Sequence, residues 1–134
     1  MKAPILLALV GLSISTAQAA EPTGTLTLAC KGTETERWGE AGTSSDEISI
    51  GIIVDFQKKA VLGLSGDSEP VPISSISETT ISFAAKETGW VMNGTLDRVT
   101  GALVATSIKF EPSTRKAILT ISLDLQCKPT QRMF

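Results

Sequence analysis

The sequence predicts an all-β fold: a single antiparallel domain of about eight strands that closes into a small barrel, with a β-sandwich as the alternative. Polar and apolar residues alternate with a period of two over three long segments, and turn-forming residues separate these from weaker segments of the same kind. No segment has the spacing of an amphipathic helix. Two cysteines, Cys30 and Cys127, lie near opposite ends of this β region and predict one disulfide.

The start of the chain has the composition of a secretory signal peptide. Lys2 supplies a positive charge, residues 5–14 are apolar, and the sequence Ala-Gln-Ala at 17–19 provides the small residues of a cleavage site. Cleavage is expected after Ala19 or Ala20. The apolar segment of about ten residues is too short to cross a bilayer of roughly 30 Å as a helix.

Removal of residues 1–20 leaves residues 21–134 as a single β domain, which is long enough to enclose one core. We expect this product to be periplasmic or secreted, with no membrane partner after the signal has been removed.

Three segments alternate strictly, and each is predicted to be a strand with one face in the core. They are 25–31, with Leu26, Leu28 and Cys30 on the inner face; 47–56, with Ile48, Ile50, Ile52, Val54 and Phe56; and 117–127, with Leu119, Ile121, Leu123, Leu125 and Cys127. Weaker patterns predict strands at 60–64, 71–76, 80–85, 90–96 and 103–110. Pro70 and Pro72 cannot donate ladder hydrogen bonds, which predicts an edge or a bulge there.

The two cysteines continue the inner faces of the first and last predicted strands. In a closed antiparallel sheet with an even number of strands those two strands are neighbours, so a bond would join the ends of the barrel. This arrangement requires the first strand to continue past Cys30 through Thr33 and Thr35. A bond between the two sheets of a sandwich is the alternative. Closing a loop of roughly 100 residues is worth about 4–5 kcal/mol on chain-entropy arguments.

The composition excludes several classes of function. The chain has no histidine, which removes the commonest general base and the commonest metal ligand. Two widely spaced cysteines do not form a zinc pattern. A net charge of −2 with scattered basic residues provides no basic patch for nucleic acid, and aromatic residues are few. We therefore expect no catalytic residue, no metal, no cofactor and no nucleic-acid partner.

The segment 33–46 is predicted to be a solvated acidic loop. Carboxylates lie in or beside it at Glu34, Glu36, Glu40, Asp46 and Glu47, in a spacing that matches no calcium loop such as the EF-hand. The loop also carries Arg37 and Trp38, which are residue types that anchor protein interfaces. Two interpretations stay open: Trp38 contacts a partner protein, or it folds back and covers the mouth of the barrel.

Asp97, Arg98 and Gly101 are interpreted as a structural turn, with a binding site as the alternative. The Asp97 side chain can accept hydrogen bonds within the turn, and Gly101 can take a positive φ. Arg98 is expected to pair with a nearby carboxylate. Trp90 alternates with Met92 and is predicted to belong to the core.

Three segments carry a resemblance to known proteins: Leu-Ala-Cys-Lys-Gly at 28–32, Gly-Thr-Leu-Asp-Arg-Val-Thr-Gly at 94–101, and Cys-Lys-Pro-Thr-Gln-Arg-Met-Phe at 127–134. They resemble small exported proteins of rhizobial alphaproteobacteria, over residues 24–134. The resemblance implies a bacterial source and a periplasmic location, and it implies no particular activity.

These observations predict a non-catalytic binding or interaction protein of the periplasm, with contacts made by loops at one end of the barrel. A protein partner of unknown identity fits this interpretation. One alternative is an inhibitor of a hydrolase, by analogy of fold with periplasmic inhibitors of lysozyme and of metalloproteases. Another is a carrier of a small apolar ligand, although the inward-facing Ile and Leu residues are expected to fill a narrow barrel. An enzyme using two carboxylates is the least favoured alternative.

Overall fold

The computed structural model describes residues 23–64 and 69–130. The predicted signal peptide and its cleavage site at Ala19 and Ala20 lie outside the described residues, as do residues 65–68 and the last four residues of the chain.

Within these ranges, eight antiparallel strands form a closed barrel in which each strand pairs with the next and β8 returns to β1. The strands are β1 (Thr25–Trp38), β2 (Thr43–Asp55), β3 (Ala60–Leu62), β4 (Val71–Ile76), β5 (Thr80–Glu87), β6 (Trp90–Asp97), β7 (Ala102–Phe110) and β8 (Ala117–Pro129). No helix occurs within the described ranges. The predicted all-β barrel is confirmed, and the sandwich alternative is wrong.

Successive turns of such a meander lie at alternate ends of the barrel. We call one end the mouth: it carries the turns at 39–42, 88–89 and 111–116 and the connection from β3 to β4. The opposite end, which we call the base, carries the turns at 56–59, 77–79 and 98–101. The strands β1, β2, β7 and β8 run far into the mouth, whereas β3 is only three residues long.

The predicted disulfide between Cys30 and Cys127 is present and joins β1 to β8. Thr130 donates its main-chain N–H to the carbonyl of Thr27, so odd-numbered residues of β1 hydrogen-bond to β8 in this ladder. Cys30 therefore occupies a non-hydrogen-bonded pair, the kind in which facing Cα atoms come closest. The two Cα atoms are 4.0 Å apart. The bond thus links the first and last strands where their backbones already approach each other.

The core fills the base half of the barrel. Its members are the inward-facing side chains that the period of two predicts, and they are nearly all aliphatic or sulfur-containing. They include Leu28, Cys30, Ile52, Val54, Val61, Val71, Ile81, Phe83, Leu96, Leu103, Leu125 and Cys127. Both cysteines are buried, at 1% and 5% exposure, so the disulfide is part of this core.

Two glycines inside strands allow close approach. A Cβ on Gly32 would overlap the main-chain carbonyl of Asp124 on β8, and a Cβ on Gly94 would come within 2.5 Å of the ring of Phe83. Gly94 lies within β6, as predicted, and the turn follows at Asp97. Glycine at these points lets the backbone of β8 and the ring of Phe83 approach the wall closely.

Several strand boundaries differ from the prediction. Residues 33–46 are not a loop: β1 continues to Trp38 and β2 begins at Thr43, leaving only a turn at 39–42. The sequence pattern did not predict a strand there because the inner face of β1 changes from apolar to charged side chains. Pairing with β2 on one side and β8 on the other nevertheless keeps β1 extended. Near the two prolines, β4 pairs irregularly with β5 between Ile73 and Ser75, which is the bulge that the sequence suggested.

Candidate functional site

The mouth half of the barrel is hollow where the base half is filled. The inner face of β7 passes from Leu103 through the small residues Ala105 and Ser107 to Lys109, so its side chains shrink just above the core and then become charged. On β6 the inner face continues from Met92 to Trp90. The small side chains of β7 leave space between Trp90 and the aliphatic residues of β8.

This space is a cavity of about 560 Å³. Its lining is apolar in depth and polar at the rim, and consists of Glu34, Leu64, Glu69, Glu87, Trp90, Met92, Ala105, Ser107, Lys109, Leu119, Ile121 and Leu123. The sequence argument that inward-facing Ile and Leu would fill the barrel is correct for the base and wrong for the mouth. The reason is that Ala105 and Ser107 interrupt the run of large inward side chains.

Trp90 is the largest side chain in the cavity wall, and its position is fixed by a hydrogen bond. The indole Nε1–H donates to Oγ of Ser107 over 2.7 Å, from one strand to the next. Trp90 packs against the core while remaining partly accessible. The hydrogen bond therefore fixes the position of an aromatic surface that a molecule entering the mouth would contact.

The rim of the cavity is acidic. Glu34, Glu69 and Glu87 lie there, and Lys109 is the only cation among the lining residues that the structure describes. Glu34 faces Asp46 across the β1–β2 ladder, and Glu36 lies two residues further along the same face of β1. Burial raises the pKa of Glu34, and a hydrogen bond with Glu36 and the negative charges of Glu36 and Asp46 raise it further. This part of the mouth therefore favours a proton or another positive charge.

The acidic side chains do not form a metal site. Among the described residues, no group of three or more His, Cys, Asp or Glu side chains is arranged to hold a metal ion. In the same part of the chain, every buried side-chain nitrogen or oxygen has a hydrogen-bond partner. No helix in the described ranges is long and apolar enough to cross a membrane.

Arg37 and Trp38 end β1 at the mouth, next to a tight turn closed by hydrogen bonds between Trp38 and Gly42 and between Ala41 and Trp38. Trp38 is 50% exposed and its indole N–H donates to the carboxylate of Glu36 over 3.3 Å. It does not line the cavity. Both interpretations of its ring, contact with a partner protein and cover of the barrel mouth, stay predictions.

Asp97, Arg98 and Gly101 form a turn at the base, far from the cavity. Oδ1 of Asp97 accepts hydrogen bonds from the N–H groups of Val99 and Thr100, at 2.8 and 3.0 Å, and these bonds lower its pKa, that from Thr100 most. Gly101 has φ of 79°, a conformation that favours glycine. Arg98 donates to the main-chain carbonyl of Ser77, where the sequence led us to expect a carboxylate. The main-chain N–H of Arg98 donates to the carbonyl of Thr79 in the same neighbouring turn, which holds Arg98 beside Ser77.

Sequence reasoning missed the cavity and most of its polar residues. It placed Trp90 in the core and Glu34 in a loop, and it gave no role to Ser107 or Lys109. One signal was available: along β7, the inward positions of the period-two pattern change from Leu103 to alanine, serine and lysine. Such a change marks the point where a barrel ceases to be packed.

Comparisons with known proteins assign this chain to no group. No protein-family model matches the sequence, and no curated protein and no solved structure matches it.

Proposed function

We propose that this protein is a non-catalytic binding protein that holds a small amphipathic molecule in the cavity at the mouth of its barrel. The observation that carries the proposal is the cavity of about 560 Å³, bounded by Trp90 and by aliphatic residues of β8. Pockets for small molecules have volumes of roughly 300–1,000 Å³ and combine an apolar wall with a few polar groups. Among the functions predicted from the sequence, the carrier fits this geometry best.

The chemistry of the wall supports a ligand with an apolar body and a polar end. Met92, Ala105 and Leu123 lie at the floor and are buried, so an apolar group there would be removed from water. Burial of apolar surface is worth about 25 cal/mol per Å². The rim carries Glu34, Glu87 and Lys109, which can hydrogen-bond a polar group left near solvent.

The wider setting of this function is also part of the proposal. The signal-like start of the chain and the buried disulfide support export to the periplasm or beyond, because disulfides persist in oxidising compartments. The resemblance to exported rhizobial proteins points to the same location. The absence of histidine from the sequence supports a role in binding and not in catalysis.

Tryptophan fluorescence provides the test. The chain has two tryptophans, so the Trp38→Phe variant leaves Trp90 as the reporter inside the cavity. Phenylnaphthylamine, a neutral apolar dye, serves as the probe. We expect its emission to rise on binding and that of Trp90 to fall. Native mass spectrometry of the freshly purified protein, which should reveal a co-purified ligand, is the parallel measurement.

A pair of substitutions separates binding in the cavity from binding elsewhere. Ala105→Leu fills the cavity from its floor, and Ala84→Leu adds the same atoms to an exposed position on β5. We expect the first variant to lose at least about tenfold in dye affinity, as the loss of 1.4 kcal/mol would produce, and the second to bind as before. Equal binding by both variants would exclude the cavity as the site.

Contact with a protein through the β1–β2 turn is a second candidate function, favoured by the half-exposed ring of Trp38 beside Arg37. Tryptophan and arginine are enriched among residues that dominate interface energies. An inhibitor of a hydrolase is the form of this function that the sequence suggested. Purified lysozyme and a purified metalloprotease, assayed with the protein and with its Trp38→Ala variant, test it. Inhibition that the substitution removes would support this function, and no inhibition of either enzyme would count against the inhibitor.

A further inference from the structure

In the described part of the chain, one edge of β2 lacks a neighbouring strand over most of its length. β2 pairs with β1 from Thr43 to Asp55, but it pairs with β3 only from Ile53 to Asp55. Among the described residues, therefore, 43–52 have a strand on one side only. The short β3 leaves this edge of the barrel wall open on the mouth side.

The hydrogen-bond phase of the β1–β2 ladder identifies which main-chain groups face the open edge. Phe56 donates to Gly24 and Trp38 donates to Gly42, both across this ladder. Even-numbered residues of β2 consequently exchange hydrogen bonds with β1, because bonded and non-bonded pairs alternate in an antiparallel ladder. The odd-numbered residues direct their N–H and C=O groups the other way.

Four residues thus present unpaired donors and acceptors along the edge within the described part of the chain: Thr43, Ser45, Glu47 and Ser49. The next odd residue, Gly51, is different, because the chain after β3 approaches it closely: a Cβ on Gly63 would overlap the Gly51 carbonyl. We define residues 43–50 as the open edge.

We propose that the open edge binds an extended, basic segment of a partner protein, which adds a ninth strand beside β2. In this mode of recognition main-chain hydrogen bonds supply affinity and alternate side chains supply specificity. None of the described residues of β2 lines the mouth cavity, so this site is separate from the one proposed for a small ligand.

Apart from the charges of Asp46 and Glu47, the open edge lacks the usual protection against pairing. Natural edges are blunted by lysine, proline or a bulge. β2 contains neither lysine nor proline, and its register with β1 is continuous from end to end. Ile48 and Ile50 on its inner face pack against the core but are only partly buried. A strand placed beside β2 would cover them further.

The negative charges of β2 disfavour pairing of the open edge with a second copy of this chain. Antiparallel pairing that uses all four free positions places Thr43 opposite Ser49 of the other copy and Ser45 opposite Glu47. The centre of that register is Asp46, which would face Asp46 of the other copy. Like charges directly opposite each other destabilise a ladder. The overall charge of −2 acts in the same direction.

The same charges define the partner segment. Asp46 and Glu47 are adjacent, so one carboxylate lies on each face of β2. A complementary antiparallel strand would place a basic residue opposite each of them and a β-branched apolar residue opposite Ile48. Its sequence would therefore contain an apolar residue followed by two basic ones, within a run of good strand formers.

A designed peptide tests the proposal directly. The probe is the acetylated and amidated peptide Val-Thr-Val-Lys-Lys-Thr-Thr-Thr, and its control has both lysines replaced by glutamate. Each is titrated into the disulfide-bonded protein, with binding followed by two-dimensional amide NMR. We expect the basic peptide to shift the amide signals of Ser45, Glu47 and Ser49 and to slow their exchange with solvent. The acidic peptide should leave them unchanged.

Two variants distinguish binding through the main-chain groups of the open edge from binding through side chains. Ser49→Pro removes an N–H that faces the open edge and leaves the β1 ladder intact, whereas Ser49→Ala changes only the side chain. The proline variant should bind the basic peptide roughly tenfold more weakly, and the alanine variant as the wild type does. If the proline variant is poorly folded, the exchange measurement on the wild-type protein decides alone. Equal binding of the two peptides, no binding of the basic one, or dimerisation through β2 would overturn the proposal.

Discussion

The indole N–H of Trp90 and the hydroxyl of Ser107 are joined by a 2.7 Å hydrogen bond that runs diagonally across the β6–β7 ladder inside the mouth cavity. Ser107→Ala would leave the partly buried N–H without this acceptor. We expect the free energy of unfolding, measured by urea denaturation, to fall by about 1 kcal/mol. Ser107→Thr keeps the hydroxyl and serves as the control. Equal losses in both variants would mean that the bond is not what stabilises this position.

The disulfide should dominate the stability of the barrel. The Cys30→Ala/Cys127→Ala double variant removes a link between residues 97 apart in sequence. Chain-entropy arguments predict a loss of about 4–5 kcal/mol in the free energy of unfolding. Chemical denaturation of both proteins, with and without reductant, measures the loss. Reductant should lower the stability of the wild type toward that of the variant and should leave the variant unaffected.

Substitutions of Gly32 and Gly51 can be compared to measure the effect of close packing between strands. Both lie in strands, but a Cβ on Gly32 would overlap the backbone of β8, whereas a Cβ on Gly51 would meet nothing within 4 Å. Gly32→Ala should therefore lower the free energy of unfolding by roughly 1–3 kcal/mol. Gly51→Ala should raise it by about 0.4–1 kcal/mol, because alanine restricts the unfolded chain. Thermal melts of the two variants compare them, and similar melting temperatures would contradict the expected asymmetry.

Glu34 should make the stability depend on pH. Its pKa is raised in the folded protein, so between the ordinary and the raised value the folded state binds more protons than the unfolded state does. Stability from this group is complete below the ordinary pKa and is lost as the pH rises through the raised one. Glu34→Gln should thus stabilise the protein near neutral pH, by less than about 1 kcal/mol because the site is partly solvated. The gain should disappear in acid.

Urea denaturation at about pH 3 and about pH 7 compares Glu34→Gln with the wild type. Glu78→Gln, which removes an exposed carboxylate from the turn between β4 and β5, is the control for the loss of one negative charge. A gain of the same size in both variants would assign the effect to net charge and not to the surroundings of Glu34.

The architecture could be predicted from the sequence because the core half of the barrel is nearly binary. In β2 and β8 each inward position of the base half is aliphatic or cysteine, and each outward one except Ile53 is small or polar, so a period of two determines both the strands and their faces. Cys30 and Cys127 continue the inner faces of the first and last strands, and this predicted that those two strands are neighbours. These predictions depend on the local pattern and on the closure of an even-stranded sheet.

The mouth could not be predicted in the same way, since its strands are held by pairing and not by burial. Thr33 and Thr35 remain in β1 because β2 and β8 lie on either side, although no apolar side chain marks the inner face. The cavity depends on the combined size of side chains from several strands. Ala105 is unremarkable alone, and it creates space only because Trp90 and Leu123 are held apart around it.

The seam between β3 and β4 has a consequence for the motions of the barrel. Among the described residues, only Ala60 with Pro72 and Val61 with Val71 pair across it, with one further hydrogen bond from Ile73 to Lys59. In contrast, β1 is paired along most of its length on both sides. Elements with few paired groups open at the lowest free energy. Local opening of the barrel wall should therefore begin between β3 and β4 and widen the cavity beside Leu64. The strands β1 and β8, which the disulfide joins on the other side of the barrel, would act as a hinge.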